Sequence, residues 1–381
     1  RFETIGGPAV EFGIFIQNYT PKMRREHDPD AEHTVIMEDL ELIKAADRAG
    51  FKYCWVTEHH FLDEYSHLSA NDVVCGYLAA ATERIHIGSG IFNPLPQVNH
   101  PAKVAERVAY LDHISGGRFE FGTGRGAGTH EILGFLPGMR DLSHTREIWE
   151  DVIGEFKKMW LQDEYEGYDG EYWSLPPRKI LPKPWGHGHP AMWYAAGNTS
   201  SYEMAARKGL GVLGFSVGDY EALAPVLEAY KAAIGSAEPV GAFVNDNVMI
   251  TTAAFVDEDE QTARDSVLNG SIHYLQSNVF RYHDTFPHPE GVPTWPDLLP
   301  AYTPEVLDWQ INTGMVCGTP DQALAQCRRW EAAGADQLVF GSGMNTQDEM
   351  LRTIELLGEH VIPKIDTDPE HSTTRYRRRS S

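Results

Sequence analysis

The chain has 381 residues, of which 42% are hydrophobic and 23% charged, and its formal net charge is −23. That is globular composition, and so strong an acidic excess argues against a nucleic-acid partner, because phosphate binding needs a basic face. No apolar run reaches the roughly 18 residues that cross a bilayer. The opening Arg1–Pro8 stretch lacks the apolar core of a signal peptide, and Cys54, Cys75, Cys317 and Cys327 form no C-x-x-C pair; a cytoplasmic location is expected. The one basic cluster, Arg375 with Arg377, Arg378 and Arg379, reads as a solvated tail beginning near residue 366.

In chain order the pattern alternates strand and helix. Val10–Asn18 reads as a strand, then Val35–Gly50 as a helix whose Leu40, Ile43, Ala46 and Ala49 recur at helical spacing and which Gly50 stops. Tyr53–Glu58 is a strand, and Asn71–Thr82 a helix capped by Asn71 or Asp72. Ile85–Phe92 is a strand, and Pro101–Ile114 a helix with proline in its first turn. Arg118–Thr123 is a strand and Thr145–Trp160 a helix.

The second half repeats the alternation: strand Ala191–Ala196, helix Ser200–Lys208, strand Val212–Phe215, helix Tyr220–Ile234, strand Val244–Val256 and helix Glu258–Leu275. Helix Asp321–Ala333 then precedes a last strand, Asp336–Gly341, and a last helix, Gln347–Val361. Consecutive βα units imply parallel strands. About eight of them without a composition break predict one (β/α)8 TIM barrel over residues 1–381, since closure removes the sheet edges. A doubly wound sheet with a second domain is the alternative. Two insertions rich in aromatics, glycine and proline, Asp163–His189 and Arg281–Thr319, interrupt the repeat; such segments are ordered lids or interfaces more often than linkers.

In a barrel the chemistry sits where the strands end. The second strand ends in Thr57-Glu58-His59-His60-Phe61. This triplet admits a solvated strand end, a metal site, or acid–base chemistry at neutral pH. A shared metal fits poorly, because neighbouring strand residues face opposite ways. The third strand ends in Gly90-Ile91-Phe92-Asn93-Pro94, small enough for a flat ring to approach the backbone, or simply a turn. The fourth ends in Gly122-Thr123-Gly124-Arg125-Gly126-Ala127-Gly128, a glycine-rich turn of the kind that cradles phosphate. It nearly fits a dinucleotide fingerprint, but the acidic residue expected about 20 positions on is Glu147, inside a helix pattern. Arg125 has the geometry of a phosphate clamp. The fifth ends in Ala196-Gly197-Asn198-Thr199-Ser200-Ser201, where a helix begins; this is ordinary capping or an anion site.

These blocks, together with Gly50-Phe51, Leu111 through Gly122 and Gly318-Thr319-Pro320, resemble the bacterial luciferase-like flavin monooxygenases, near the luciferase alpha-subunit branch, from about Phe12 to about Ile365. The resemblance implies a barrel that binds reduced FMN delivered by a separate NAD(P)H:flavin reductase, takes O2 as co-substrate and oxygenates a small, largely apolar molecule. It implies that His59 is catalytic, with Glu58 beside the flavin and His60 secondary. It implies that Gly90, Ile91 (through a cis peptide bond between them), Asn93 and Gly124 border the ring, while Arg125, Ala196, Gly197, Asn198 and Ser201 hold the phosphate. Asn198 stands where the family has serine, and Gly124 where the luciferase alpha subunit has cysteine, which points to a monooxygenase and not a luciferase. A homodimer or larger homo-oligomer is expected. Three other readings stay open: a deazaflavin (F420)-dependent hydride transferase of the same superfamily, a non-catalytic flavin-binding protein, and, less well supported, a metal-dependent barrel hydrolase, for which no further ligand set is evident.

Overall fold

The computed structural model describes residues 9–126, 128–186, 188–215, 219–268 and 303–379. Eight strands close a barrel: β1 (Glu11–Ile16), β2 (Tyr53–Val56), β3 (His86–Ser89), β4 (Phe119–Thr123), β5 (Met192–Ala196), β6 (Gly211–Phe215), β7 (Val248–Thr252) and β8 (Gln337–Gly341). Each pairs in parallel with its neighbours in sequence, and β8 closes on β1 through Glu11↔Gln337 to Phe15↔Gly341. The expected (β/α)8 barrel is therefore the observed one. Helices such as Ala31–Ala49, Asn71–Ala81, Pro101–Ile114 and Gln347–His360 follow the strands. Gly50 ends the first of these in the left-handed region at φ 92°, where glycine carries no Cβ penalty.

Several boundaries differ from the expected ones. β3 stops at Ser89, and Phe92 rejoins the sheet only through an isolated bridge to Thr123. The stretch expected as one strand to Val256 breaks at Ala253; Ala254–Val256 leaves the barrel to pair with Val316–Gly318. The helix expected over Thr145–Trp160 divides at Gly154 into His144–Ile153 and Glu155–Leu161. Neither Asn71 nor Asp72 caps its helix: the cap position is Ala70, and Asn71 instead donates to the Ile91 carbonyl at 3.0 Å. The first insertion is ordered along the helices after β3 and β4, with Tyr165 donating to Glu155 and Trp173 set edge-on to His100. Of the second, residues 281–302 lie outside the described residues; the remainder holds helix Pro304–Thr313 and strand Val316–Gly318.

Strand side chains alternate between the barrel axis and the helix layer. The middle of the axis is filled by Trp55, Trp193, Leu213, Met249 and Val339. The two indoles meet edge to face at 5.1 Å. They fit because a glycine stands beside each: a Cβ on Gly88 would lie 2.3 Å from the Trp55 ring, and one on Gly211 would lie 2.5 Å from the Trp193 ring.

Below them the inward residues turn polar, and the C-terminus covers them. Tyr53 donates to Glu11 at 2.9 Å, His86 meets Glu120 at 2.7 Å, and Trp193 donates to Glu120 at 2.8 Å. Helix Ser372–Arg379 brings Ser372 to Glu11 and Thr373 to Glu120. His371 stacks on His86 with centroids 3.8 Å apart. Burial pushes the His86 imidazole down to about 3 and the Glu120 carboxyl up to about 8, each shift disfavouring the charged form. The expected solvated basic tail is thus corrected. Arg377 makes a bidentate pair with the fully buried Asp112 at 2.8 and 2.7 Å, and Arg375 and Arg378 pair with Glu370. Arg377 is matched by an acidic partner far away in sequence, and Arg375 and Arg378 by Glu370 close by.

Removing one member of a buried ion pair strands the other. Arg377→Ala should therefore lower unfolding stability by about 3 kcal/mol, read as a lower urea midpoint. A loss under about 1 kcal/mol, the scale of an exposed pair, would mean that the helix is not held as described.

Candidate active site

Above the tryptophans the inward positions shrink. The top of the axis presents Phe15, Gly90, Gly124, Ala195 and Gly341, with Ile91 leaning in. Ala195 is exposed although its strand neighbours are buried, so solvent reaches the axis there. A Cβ on Gly124 would lie 2.8 Å from Ile91 Cδ1 and 3.4 Å from Ala195 Cβ. Glycine at 124 therefore keeps the floor of the mouth flat. The Gly90–Ile91 peptide is cis, as the resemblance implied. Asn71 donates to the Ile91 carbonyl and so holds the next peptide along, Ile91–Phe92.

The Glu58-His59-His60 arm leaves β2 at one side of this floor. Glu58 accepts from the Asn93 backbone N–H at 3.2 Å and from Asn99 Nδ2 at 3.3 Å, and its Oε1 lies 3.1 Å from His60 Nε2. The two histidine rings go to different surroundings, as opposite-facing neighbours must. His59 is buried, its ring edge-on to Tyr65 at 5.4 Å and its Nδ1 3.2 Å from Glu131 Oε1. His60 is half-buried and sits edge-on to Phe135 at 4.9 Å. A cleft beside the arm is lined by Glu58, His60, Ile91, Asn93, Glu131 and Phe135, among others.

Glu131 is the residue that sequence reasoning missed. It lies on the short helix Thr129–Phe135 beyond the glycine-rich end of β4 and is buried. The His60 backbone N–H donates to its Oε1 at 2.7 Å. Its Oε2 is buried without a hydrogen-bond partner among the described residues; an unsatisfied buried acceptor costs about 1–3 kcal/mol. The available signal was an acidic residue just past Gly128, in a stretch otherwise read only for phosphate.

On the opposite side, β4 and β5 are neighbours, paired at Thr123↔Tyr194, which brings Arg125 and the 197–201 turn to adjacent strand ends. Arg125 is half-buried, and its Nη1 donates to the Leu142 carbonyl and to Thr145 Oγ1, both at 2.9 Å. Gly197 and Asn198 are exposed. Asn198 caps helix Thr199–Arg207, with its Oδ1 accepting from Ser201 N, Ser201 Oγ and Ser200 Oγ at 3.0, 2.9 and 2.8 Å. Ser201 is thus buried with its hydroxyl proton committed to Asn198. Ala196 packs in the outer core, and Ala195 is the residue that faces the mouth.

The cap makes a stability prediction that is independent of any ligand. Asn198→Ala should cost about 1 kcal/mol and Asn198→Ser only a few tenths, measured by thermal or urea unfolding. Equal stability of the alanine and serine variants would contradict the capping role.

With the site on the page, the comparisons with known proteins can be placed. The family model of luciferase-like monooxygenases matches residues 10–337. The oxygenase component of a flavin-dependent trigonelline monooxygenase from Acinetobacter baylyi is 26% identical, over 96% of this chain and 99% of its own length. In fold, the oxygenating constituent of 3,6-diketocamphane monooxygenase from Pseudomonas putida, solved with FMN, superposes with a TM-score of 0.73 at 20% identity, covering 94% of this chain and 99% of its own. A coenzyme F420-dependent tetrahydromethanopterin reductase from Methanopyrus kandleri superposes with a TM-score of 0.65, also at 20% identity and with the same coverage. A match to the family model over residues 10–337, most of the chain, joined to the closed barrel, is decisive: the chain belongs to the luciferase-like monooxygenase family.

Proposed function

We propose that this protein is the oxygenase component of a two-component system, taking reduced FMN from a separate flavin reductase and using O2 to oxygenate a small, largely apolar molecule. The observation that carries this reading is the flat, solvent-reached floor of Gly90, Gly124 and Ala195 directly beside the Glu58-His59-His60 arm. A planar ring needs such a floor, and a side chain at 124 would press on Ile91, whose Cδ1 lies 2.8 Å from where its Cβ would stand. The residues present fit FMN: Arg125 and the turn opening helix Thr199–Arg207 would hold its phosphate, while Gly90, Ile91, Asn93 and Gly124 would border its ring. Reduced FMN supplies, when bound, the electrons that activate O2, so that one oxygen atom enters the product and the other leaves as water.

The chain's own residues supply the surroundings. Ile91, Leu95, Val98 and Phe135 make one wall of the cleft apolar, which excludes water and favours an apolar substrate. Glu58 ties the arm to the Asn93 backbone and so sets its height over the floor. His59, with Nδ1 turned to Glu131, has Nε2 available to hold or move a proton. The same reading makes the chain one barrel domain, active as a homodimer or larger homo-oligomer in the cytoplasm, with its reductase met by diffusion or transient contact. The family likeness to F420-dependent enzymes supports the competing hydride-transfer reading.

Anaerobic titration separates the two. The protein should bind reduced FMN more tightly than oxidised FMN or reduced F420, and should not reduce FMN with NADH on its own. Tighter binding of F420 would favour hydride transfer, and rapid NADH oxidation without a partner would end the two-component reading. Arg125→Ala should weaken reduced FMN by about 1.5–3 kcal/mol and leave riboflavin unaffected. Equal wild-type affinity for riboflavin and FMN would place the phosphate elsewhere. His59→Ala should slow product formation about 10²–10⁴-fold with flavin affinity retained; if His60→Ala is the more damaging, the histidines have been assigned the wrong way round.

A further inference from the structure

We propose that Glu131 is the positioning residue for His59: its carboxylate fixes the ring through Nδ1 and dictates which ring nitrogen is left for proton transfer. Each histidine of the arm has its own carboxylate. Glu58 Oε1 meets His60 Nε2 at 3.1 Å, and Glu131 Oε1 meets His59 Nδ1 at 3.2 Å. The Glu131 oxygen that meets His59 also accepts from the His60 backbone N–H at 2.7 Å. One carboxylate therefore grips both the His59 ring and the peptide that follows it. The rest of the His59 environment leaves the ring little freedom. Its backbone N–H donates to the Leu68 carbonyl at 2.9 Å, and the Tyr65 ring stands edge-on to the imidazole with its hydroxyl donating to Gln17.

The chemistry follows from donor and acceptor capacity. An ionised carboxylate only accepts, so His59 Nδ1 must carry the proton that points at Glu131. In neutral His59 the unprotonated nitrogen is then Nε2, on the far side of the ring, and it is this atom that can take a proton. Carboxylate–histidine pairs set tautomer and ring orientation in this way elsewhere. Glu131 reaches the arm from beyond β4 while the arm hangs from β2. The contact thus also ties the phosphate-side loop to the proton-transfer side of the mouth.

A residue that merely anchored the loop would affect stability and leave the tautomer alone. The test is ¹⁵N NMR of histidine-labelled full-length protein without flavin, with the His59 signals assigned through His59→Gln. Wild-type His59, when neutral, should be the Nδ1–H tautomer. Glu131→Asp should keep that form, and Glu131→Ala should move the population to the Nε2–H form that free histidine favours. If the alanine variant fails to fold, Glu131→Met serves, since it keeps the bulk and removes the acceptor. An unchanged Nδ1–H tautomer in a folded Glu131→Ala or Glu131→Met protein would overturn the proposal. The catalytic consequence rests on the function proposed above: kcat should fall about 10–100-fold, the usual cost of losing such an outer carboxylate, with reduced FMN affinity unchanged. If the tautomer moves and kcat does not, the positioning stands and the catalytic role of His59 fails.

Discussion

Two indoles crossed on the barrel axis organise the rest of the molecule. Trp55 and Trp193 meet edge to face at 5.1 Å, a geometry in which the positive edge of one ring meets the negative face of the other. They have room there because Gly88 puts no side chain against the Trp55 ring and Gly211 none against the Trp193 ring. With the middle occupied, the layer above needs no bulk, and Gly90, Gly124, Ala195 and Gly341 can leave an open floor at the mouth. A barrel filled evenly by branched side chains would have no such floor. The candidate site and the core are thus two consequences of one distribution of large and small residues along the strands.

The same plug divides the barrel into two polar worlds. At the closed end, Glu11, Tyr53, His86 and Glu120 are sealed by the C-terminal helix, and burial disfavours charge on His86 and Glu120. At the open end, Glu58, His59, His60 and Glu131 form a second acid–base cluster, of which Glu58, His60 and Glu131 line a cleft. Trp193 links the layers structurally, donating its indole N–H to Glu120 from within the central stack. The closed end is covered by the C-terminal helix, and the open end carries the cleft. Barrels usually keep stability at one face and function at the other.

Much of this was legible in the sequence, for reasons that can be stated residue by residue. The strands were visible because barrel strands buried on both faces read as apolar runs ended by glycine or polar residues, and the Glu58-His59-His60 and Gly124-Arg125 ends stood out against them. The misread features all depend on distant partners. Nothing local tells that Arg377 will meet Asp112 or that the tail will fold back over β1 and β4. Asn71 looked like a cap because asparagine prefers that role, yet its amide is spent on Ile91 twenty residues away. Glu131 escaped notice because its partners, His59 and His60, lie about seventy positions earlier.

The central claim is that this mouth holds reduced FMN while oxygen is transferred to a second molecule. It is tested most directly by supplying chemically reduced FMN under ¹⁸O2 with panels of aldehydes, cyclic ketones and terpenes, and reading product masses. The account predicts one ¹⁸O atom in the product of at least one class, with O2 consumed in step with flavin oxidation. Substrate turnover that proceeds without O2, driven by reduced F420 and leaving no label in the product, would contradict it.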